Sequence, residues 1–111
     1  MEHRDRIILQ KVLSEIGIAQ EMMGGCSLDQ FKQSEMLMRA VGMTVINIGE
    51  LVKNTTDELR EAHPDIPWRA IAGMRDITAH KYQTLRKEDV YSTCVEDMPV
   101  FEAQLKTLGQ E

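Results

Sequence analysis

A chain of 111 residues can bury one hydrophobic core but not two, so a single domain over residues 1–111 is expected. At 42% hydrophobic and 28% charged, with 3 Pro and 7 Gly, the composition excludes a disordered chain. Its 8 Met suit adaptable helix-to-helix packing better than a stacked β core. The net charge of -5 argues against general nucleic-acid binding, because neutralising phosphates needs local lysine and arginine.

The charge is unevenly spread. Residues 68–87 carry five cations (Arg69, Arg75, Lys81, Arg86, Lys87) against Asp76 alone, a net of +4, which leaves -9 on the remainder. One basic segment in an acidic chain fits a phosphate-binding groove, docking onto an acidic partner, or a solvated charged face. Cys26 and Cys94 stand far apart with no Cys/His grouping of metal-ligand spacing, and read as reduced thiols; no metal and no cofactor is expected. The charged start MEHRDRIILQ and the lack of any run of about 18 apolar residues speak against secretion and membrane spanning, so a cytoplasmic location is expected.

In chain order, Leu9, Val12, Leu13, Ile16, Ala19 and Met23 recur at three-and-four spacing, predicting an amphipathic helix from Arg4 to about Met23 that Gly24 and Gly25 stop. Ser27 or Asp29 can cap the next helix, with Gln30 placed for a capping box. One continuous helix is predicted from about Leu28 to Lys53. It is apolar on more than one side (Phe31, Met36, Met38, Val41, Met43, Ile48, Val52), as befits a bundle centre or a subunit contact. Thr55 or Thr56 can cap a short helix that Pro64 ends, beside a surface His63. Pro67 suits the first position of the following helix, Gln83 to Lys87 reads as a loop, and a last helix runs from about Glu88 to Leu108. Pro99 falls inside that last helix and should kink or divide it. No segment sustains a period of two, so the fold class is all-α, an antiparallel bundle of four to five helices.

The chemistry concentrates in WRAIAGMRDITAHKY, residues 68–82. On a helix at about 100° per residue, Trp68, Ile71, Ala72, Ala79 and Tyr82 share one stripe, with Arg75 near its middle. A guanidinium on a core-facing stripe must meet an acid or line a cleft or interface, since its unpaired burial costs several kcal/mol, on the order of a buried ion. Glu50 is the first candidate acid, though an exposed glutamate at a helix end is the commoner case. His80 is rotated by roughly 140° from Arg75, so a straight helix would not aim both at one point. Either the helix loosens near Ala79, or a second copy of the chain completes the site. Asp76, one turn before His80, can orient or charge the imidazole.

The run R-D-I-T-A-H-K-Y fits the R-x-x-x-x-H-x-Y pattern of the HEPN superfamily, and specifically resembles HepT-like toxins. NIGELVKN at 47–54, HPDIPW at 63–68 and IAGMRDITAHKY at 71–82 are similar to that family's blocks in the family's order, so the likeness covers most of the chain. It departs at one place, because the position after the arginine is often Asn in the family and is Asp76 here. The resemblance implies a HEPN-like bundle, a homodimer with two motifs facing a shared cleft, and a metal-independent endoribonuclease toxin acting on RNA. It further implies a minimal nucleotidyltransferase antitoxin as partner. Arg75 and His80 would be catalytic, with Asp76 and Glu50 supporting. Tyr82 would be the residue modified with AMP, and Arg69, Lys81, Arg86 and Lys87 would contact RNA. Two readings from other classes stay open: a non-catalytic helical module that binds a nucleotide or docks a nucleotidyltransferase, and an adaptor bundle whose Arg75 merely pairs with Glu50.

Overall fold

The computed structural model describes residues 1–74 and 86–109. Among these the fold is all-helical: α1 (His3–Met23), α2 (Leu28–Gln33), α3 (Glu35–Lys53), α4 (Asp57–Ala62), α5 (Trp68–Ala72), α6 (Lys87–Ser92) and α7 (Met98–Leu108), with a π turn at Thr93–Asp97 joining the last two.

The long pair α1 and α3 forms the spine. The two run antiparallel, since the start of α1 meets the end of α3, where Arg4 Nη2 donates to the Asn54 carbonyl over 2.6 Å. Of the periodic residues, Leu9, Val12, Ile16, Ala19 and Met23 are buried as their spacing predicts, and Leu13 is half-buried against the core. Gly24 ends α1 with φ 55°, and Gly25 follows at φ 71°; both values favour a residue without a Cβ, which is why this pair can reverse the chain. Ser27 then closes a capping box, its hydroxyl accepting from Gln30 N and its own N–H donating to Gln30 Oε1.

The single helix expected from Leu28 to Lys53 is in fact two. Ser34 leaves helical geometry at φ -110°, ψ 99°, and its hydroxyl accepts from Leu37 N, so it ends α2 and caps α3 at once. Serine competes with the backbone for hydrogen bonds, and here a local cap outweighs continuity. Within α3, Met38, Val41, Val45, Ile48 and Val52 are buried, whereas Met36 and Met43 stand 84% and 58% exposed. Its apolar character is thus divided between the core and an outward face.

Two charged groups do structural work that periodicity does not reveal. Asp5, only 1% exposed, accepts from Thr56 N at 2.9 Å and from the Thr56 hydroxyl at 2.6 Å, while that hydroxyl also caps α4 by accepting from Leu59 N. Arg60 fans onto the end of α3, donating to the carbonyls of Val52, Lys53 and Thr55, where a cation suits the negative end of a helix dipole.

Helix α5 starts at Trp68, so Pro67 is the residue just ahead of the helix and not its first member. The segment expected to be a loop, Gln83 to Lys87, ends earlier than predicted, because Lys87 already opens α6. The stretch expected as one last helix is divided just ahead of Pro99, by the π turn at Thr93–Asp97 between α6 and α7. Met98 N–H reaches back five residues to the Thr93 carbonyl, and this wider turn just ahead of the proline gives the ring room where an α turn would press it onto Val95. Cys94, Met98, Phe101, Leu105 and Leu108 are buried in this helix as their spacing predicts.

Candidate functional site

Arg75, Asp76, His80, Lys81 and Tyr82 lie outside the described residues, so the structure describes the segments that flank them in sequence. On the upstream side, α5 brings the chain to Met74 with Trp68 and Ile71 buried and Ala72 and Met74 packed against the core. Ala79 and Tyr82 lie outside the described residues; Trp68, Ile71 and Ala72 are the described part of the core-facing stripe that the spacing predicts. Trp68 anchors it: its indole N–H donates to the His63 carbonyl over 2.9 Å, and its ring meets Phe101 of α7 edge-on at 6.4 Å. The turn His63–Pro67 therefore holds the start of the helix through a buried aromatic, and His63 is half-buried where the sequence suggested a surface position.

The described basic residues on either side of the motif differ from one another. Arg69 and Arg86 are exposed. Arg86 pairs with Glu88 at 3.7 Å while remaining 72% exposed. Lys87 is instead turned inward to the α2–α3 junction, donating to the Lys32 carbonyl at 3.0 Å and facing Glu35 at 3.5 Å. Lys32 and Glu88 pair at 2.8 Å, and this contact raises the lysine pKa and lowers that of the carboxyl. Glu50, near the end of α3, is exposed and borders a shallow cleft of ≈340 Å³ with Lys11, Ser14 and Asn47; its expected meeting with Arg75 lies outside the described residues.

A second cleft of ≈480 Å³ opens between α5 and α7, beside the residue that precedes Arg75. Ile71, Met74 and Phe101 give it an apolar wall, and Asp65 and Asp97 stand at its edge. Gln104 donates from Nε2 to the Asp65 carbonyl at 3.4 Å, while its Oε1 is buried with no hydrogen-bond partner among the described residues. Among those residues no three His, Cys, Asp or Glu side chains cluster as metal ligands, and no helix is long and apolar enough to cross a membrane.

Fold and sequence together define the class: an all-helical bundle among the described residues, in a chain whose sequence carries an arginine-histidine-tyrosine motif directly after the tryptophan-anchored helix. Residues 12–108 match the profile of the family described as "Ribonuclease HepT-like". The chain is 35% identical over 106 residues to a protein named "Putative RNase" from Caldanaerobacter subterraneus subsp. tengcongensis, covering 96% of this chain and 95% of that one. It is 28% identical to "Probable ribonuclease HepT" of Thermococcus cleftensis, over 96% of this chain and 94% of the other. A longer protein of Methanocaldococcus jannaschii, "Gamma-glutamylcyclotransferase and putative RNase", is 30% identical over 96% of this chain and 48% of its own length. No solved structure matches. The chain belongs to the HepT-like family of the HEPN superfamily.

Proposed function

We propose that this protein is an endoribonuclease, the toxin of a toxin–antitoxin pair, with Arg75 and His80 as its catalytic residues. The observation that carries the reading is the motif R-D-I-T-A-H-K-Y at 75–82, which falls inside the matched span and directly follows the anchored α5. Relatives named as RNases support the substrate class.

In this reading the 2'-hydroxyl of a ribose attacks the adjacent phosphorus, and the bond to the 5'-oxygen breaks, leaving a cyclic phosphate. His80 takes the attacking proton or returns one to the leaving oxygen, a role worth about 10²- to 10⁴-fold. Arg75 holds the charge that builds on the non-bridging oxygens, for which its planar fork is suited. Such chemistry calls for no metal ion. Asp76 and Glu50 support the pair, and the exposed Arg69 and Arg86, with Lys81 and Lys87, supply the cationic approach for RNA. Two copies form a homodimer that brings the motifs to one cleft, and the exposed Met36 and Met43 are apolar surface available to such pairing. A minimal nucleotidyltransferase neutralises the toxin and transfers AMP from ATP to the Tyr82 hydroxyl, releasing pyrophosphate and the phenolic proton, and the added negative charge repels RNA.

Arg75→Ala and His80→Ala are expected to abolish growth arrest on expression while leaving helical content unchanged. Purified protein should cleave RNA in EDTA, and His80→Ala should lose that cleavage. Arrest at parental strength by either variant removes these residues from the mechanism. Mass spectrometry after co-expression with a minimal nucleotidyltransferase is expected to find AMP on the Tyr82 peptide. Absence of cleavage with retained nucleotidyltransferase binding would favour the docking-module reading.

A further inference from the structure

A cleft distant in sequence from the motif gathers an unusual set of side chains. Its ≈280 Å³ lies between the end of α1 and the π turn, and four of the residues lining it carry sulfur: Met23, Cys26, Cys94 and Met98. Both cysteines are free thiols. The four come as two pairs. Met23 and Cys26 flank the Gly24–Gly25 turn, whose left-handed backbone lets the chain fold back over its own helix end. Cys94 and Met98, four residues apart on one helix, are neighbours on a single face. The two pairs are tied together, because the Tyr91 hydroxyl, one turn before Cys94, donates to the Cys26 carbonyl over 2.8 Å. Met23, Cys94 and Met98 are buried at 6%, 6% and 1% exposure, while Cys26 is half-buried.

We propose that this cleft is a binding site for a soft monovalent cation, copper(I) being the ion whose chemistry fits, held by the sulfurs of Met23, Cys26, Cys94 and Met98. Three observations select that class. Thioethers contribute little to hard or borderline ions and are chosen by soft ones. No charged side chain lines the cleft, so a monovalent ion neutralised by one thiolate leaves no net buried charge. A divalent ion would need both thiols deprotonated. Finally, the two thiols border an open volume that a guest can occupy. On binding, the Cys26 S–H proton passes to solvent as the copper–sulfur bond forms, and no electron is transferred. The site is independent of the nuclease reading.

The test is a competition titration of the full-length chain under anaerobic conditions, with copper(I) supplied as its acetonitrile complex against a chromophoric copper(I) chelator. One copper(I) retained per chain is expected, with zinc(II) not retained under the same conditions. Cys26→Ser should weaken retention by more than the roughly 100-fold that loss of an outer-shell partner costs a metal site. Met98→Leu, which keeps apolar volume and so should fold, is expected to weaken it by about tenfold, less than a thiolate because a thioether is neutral. Circular dichroism of each variant checks that helical content is kept. Failure to retain copper against the chelator overturns the proposal, and so does retention unchanged by Met23→Leu and Met98→Leu together. Where Cys26→Ser does not fold, the two methionine variants still decide the matter.

Discussion

Replacing Trp68 tests whether one aromatic side chain holds the entry to the motif. Its ring is 6% exposed, it meets Phe101 edge-on at 6.4 Å, and its N–H satisfies the His63 carbonyl at 2.9 Å. Truncation to Ala removes all three contributions: burial of a large ring with the cavity left behind, an aromatic pair worth about 1 kcal/mol, and a hydrogen bond worth about 1 kcal/mol. Trp68→Ala should therefore cost about 3–5 kcal/mol, the range for truncating a buried aromatic. At roughly 4 °C per kcal/mol for a domain of this size, Tm should fall by about 15 °C. Trp68→Phe keeps a ring against Phe101 and loses the donor, so its cost should be about 1–2 kcal/mol. Urea unfolding followed by circular dichroism is the appropriate assay, because Trp68 is the chain's one tryptophan and the variants have no indole signal. An Ala variant within about 1 kcal/mol of the parent, or a Phe variant as damaged as Ala, would refute the assignment of these three contributions.

Asp5→Ala should destabilise the fold by about 2–4 kcal/mol, since it removes two hydrogen bonds from a buried carboxylate and leaves the Thr56 N–H without its acceptor. A thermal melt reads this directly, and a loss under about 0.5 kcal/mol, typical of a surface change, would show the contact to be incidental. Cys94 yields a pH dependence. Burial, with the Cys26 thiol nearby, pushes its thiol from 9.0 up to about 11. Between those values the unfolded chain has lost the proton that the folded chain keeps, so stability should fall by about 1.4 kcal/mol per pH unit as pH rises through that window. Urea melts from pH 8.5 upward on parent and Cys94→Ala compare the slopes, and equal slopes would assign the alkaline loss elsewhere.

Hydrophobic spacing located the helices that pack by one face. The stripes Leu9 to Met23 and Cys94 to Leu108 are buried as read, because a period of three and four is the direct image of a buried helix surface. The capping box at Ser27–Gln30 was equally legible, being a local bond between two named side chains. What escaped was non-local or weakly coded. Ser34 breaks a helix with no Gly or Pro to announce it, through one side-chain bond that any serine could make. Asp5 reads as an ordinary first-turn acid, and its burial depends on Thr56 arriving from 51 residues away.

The candidate site shows the same division more sharply. The motif was visible as a string, and its upstream support was visible as a stripe, since Trp68 and Ile71 face the core where helical spacing put them. The differing states of the basic residues were not visible: nothing in the order of residues says that Lys87 is turned to the Lys32 carbonyl while Arg86 faces water. A net positive segment is therefore a sum over side chains in differing states: among the described ones, Lys87 meets the Lys32 carbonyl and Arg86 pairs with Glu88, so the free cationic surface is smaller than the count of charges suggests. The sulfur cleft makes the complementary point. Cys26 and Cys94 are 68 residues apart and carry no ligand spacing, yet a glycine turn and a widened helical turn set them beside the same opening. Ligand spacing finds sites built within one element, whereas this one is assembled by the packing of α1 against the last helix.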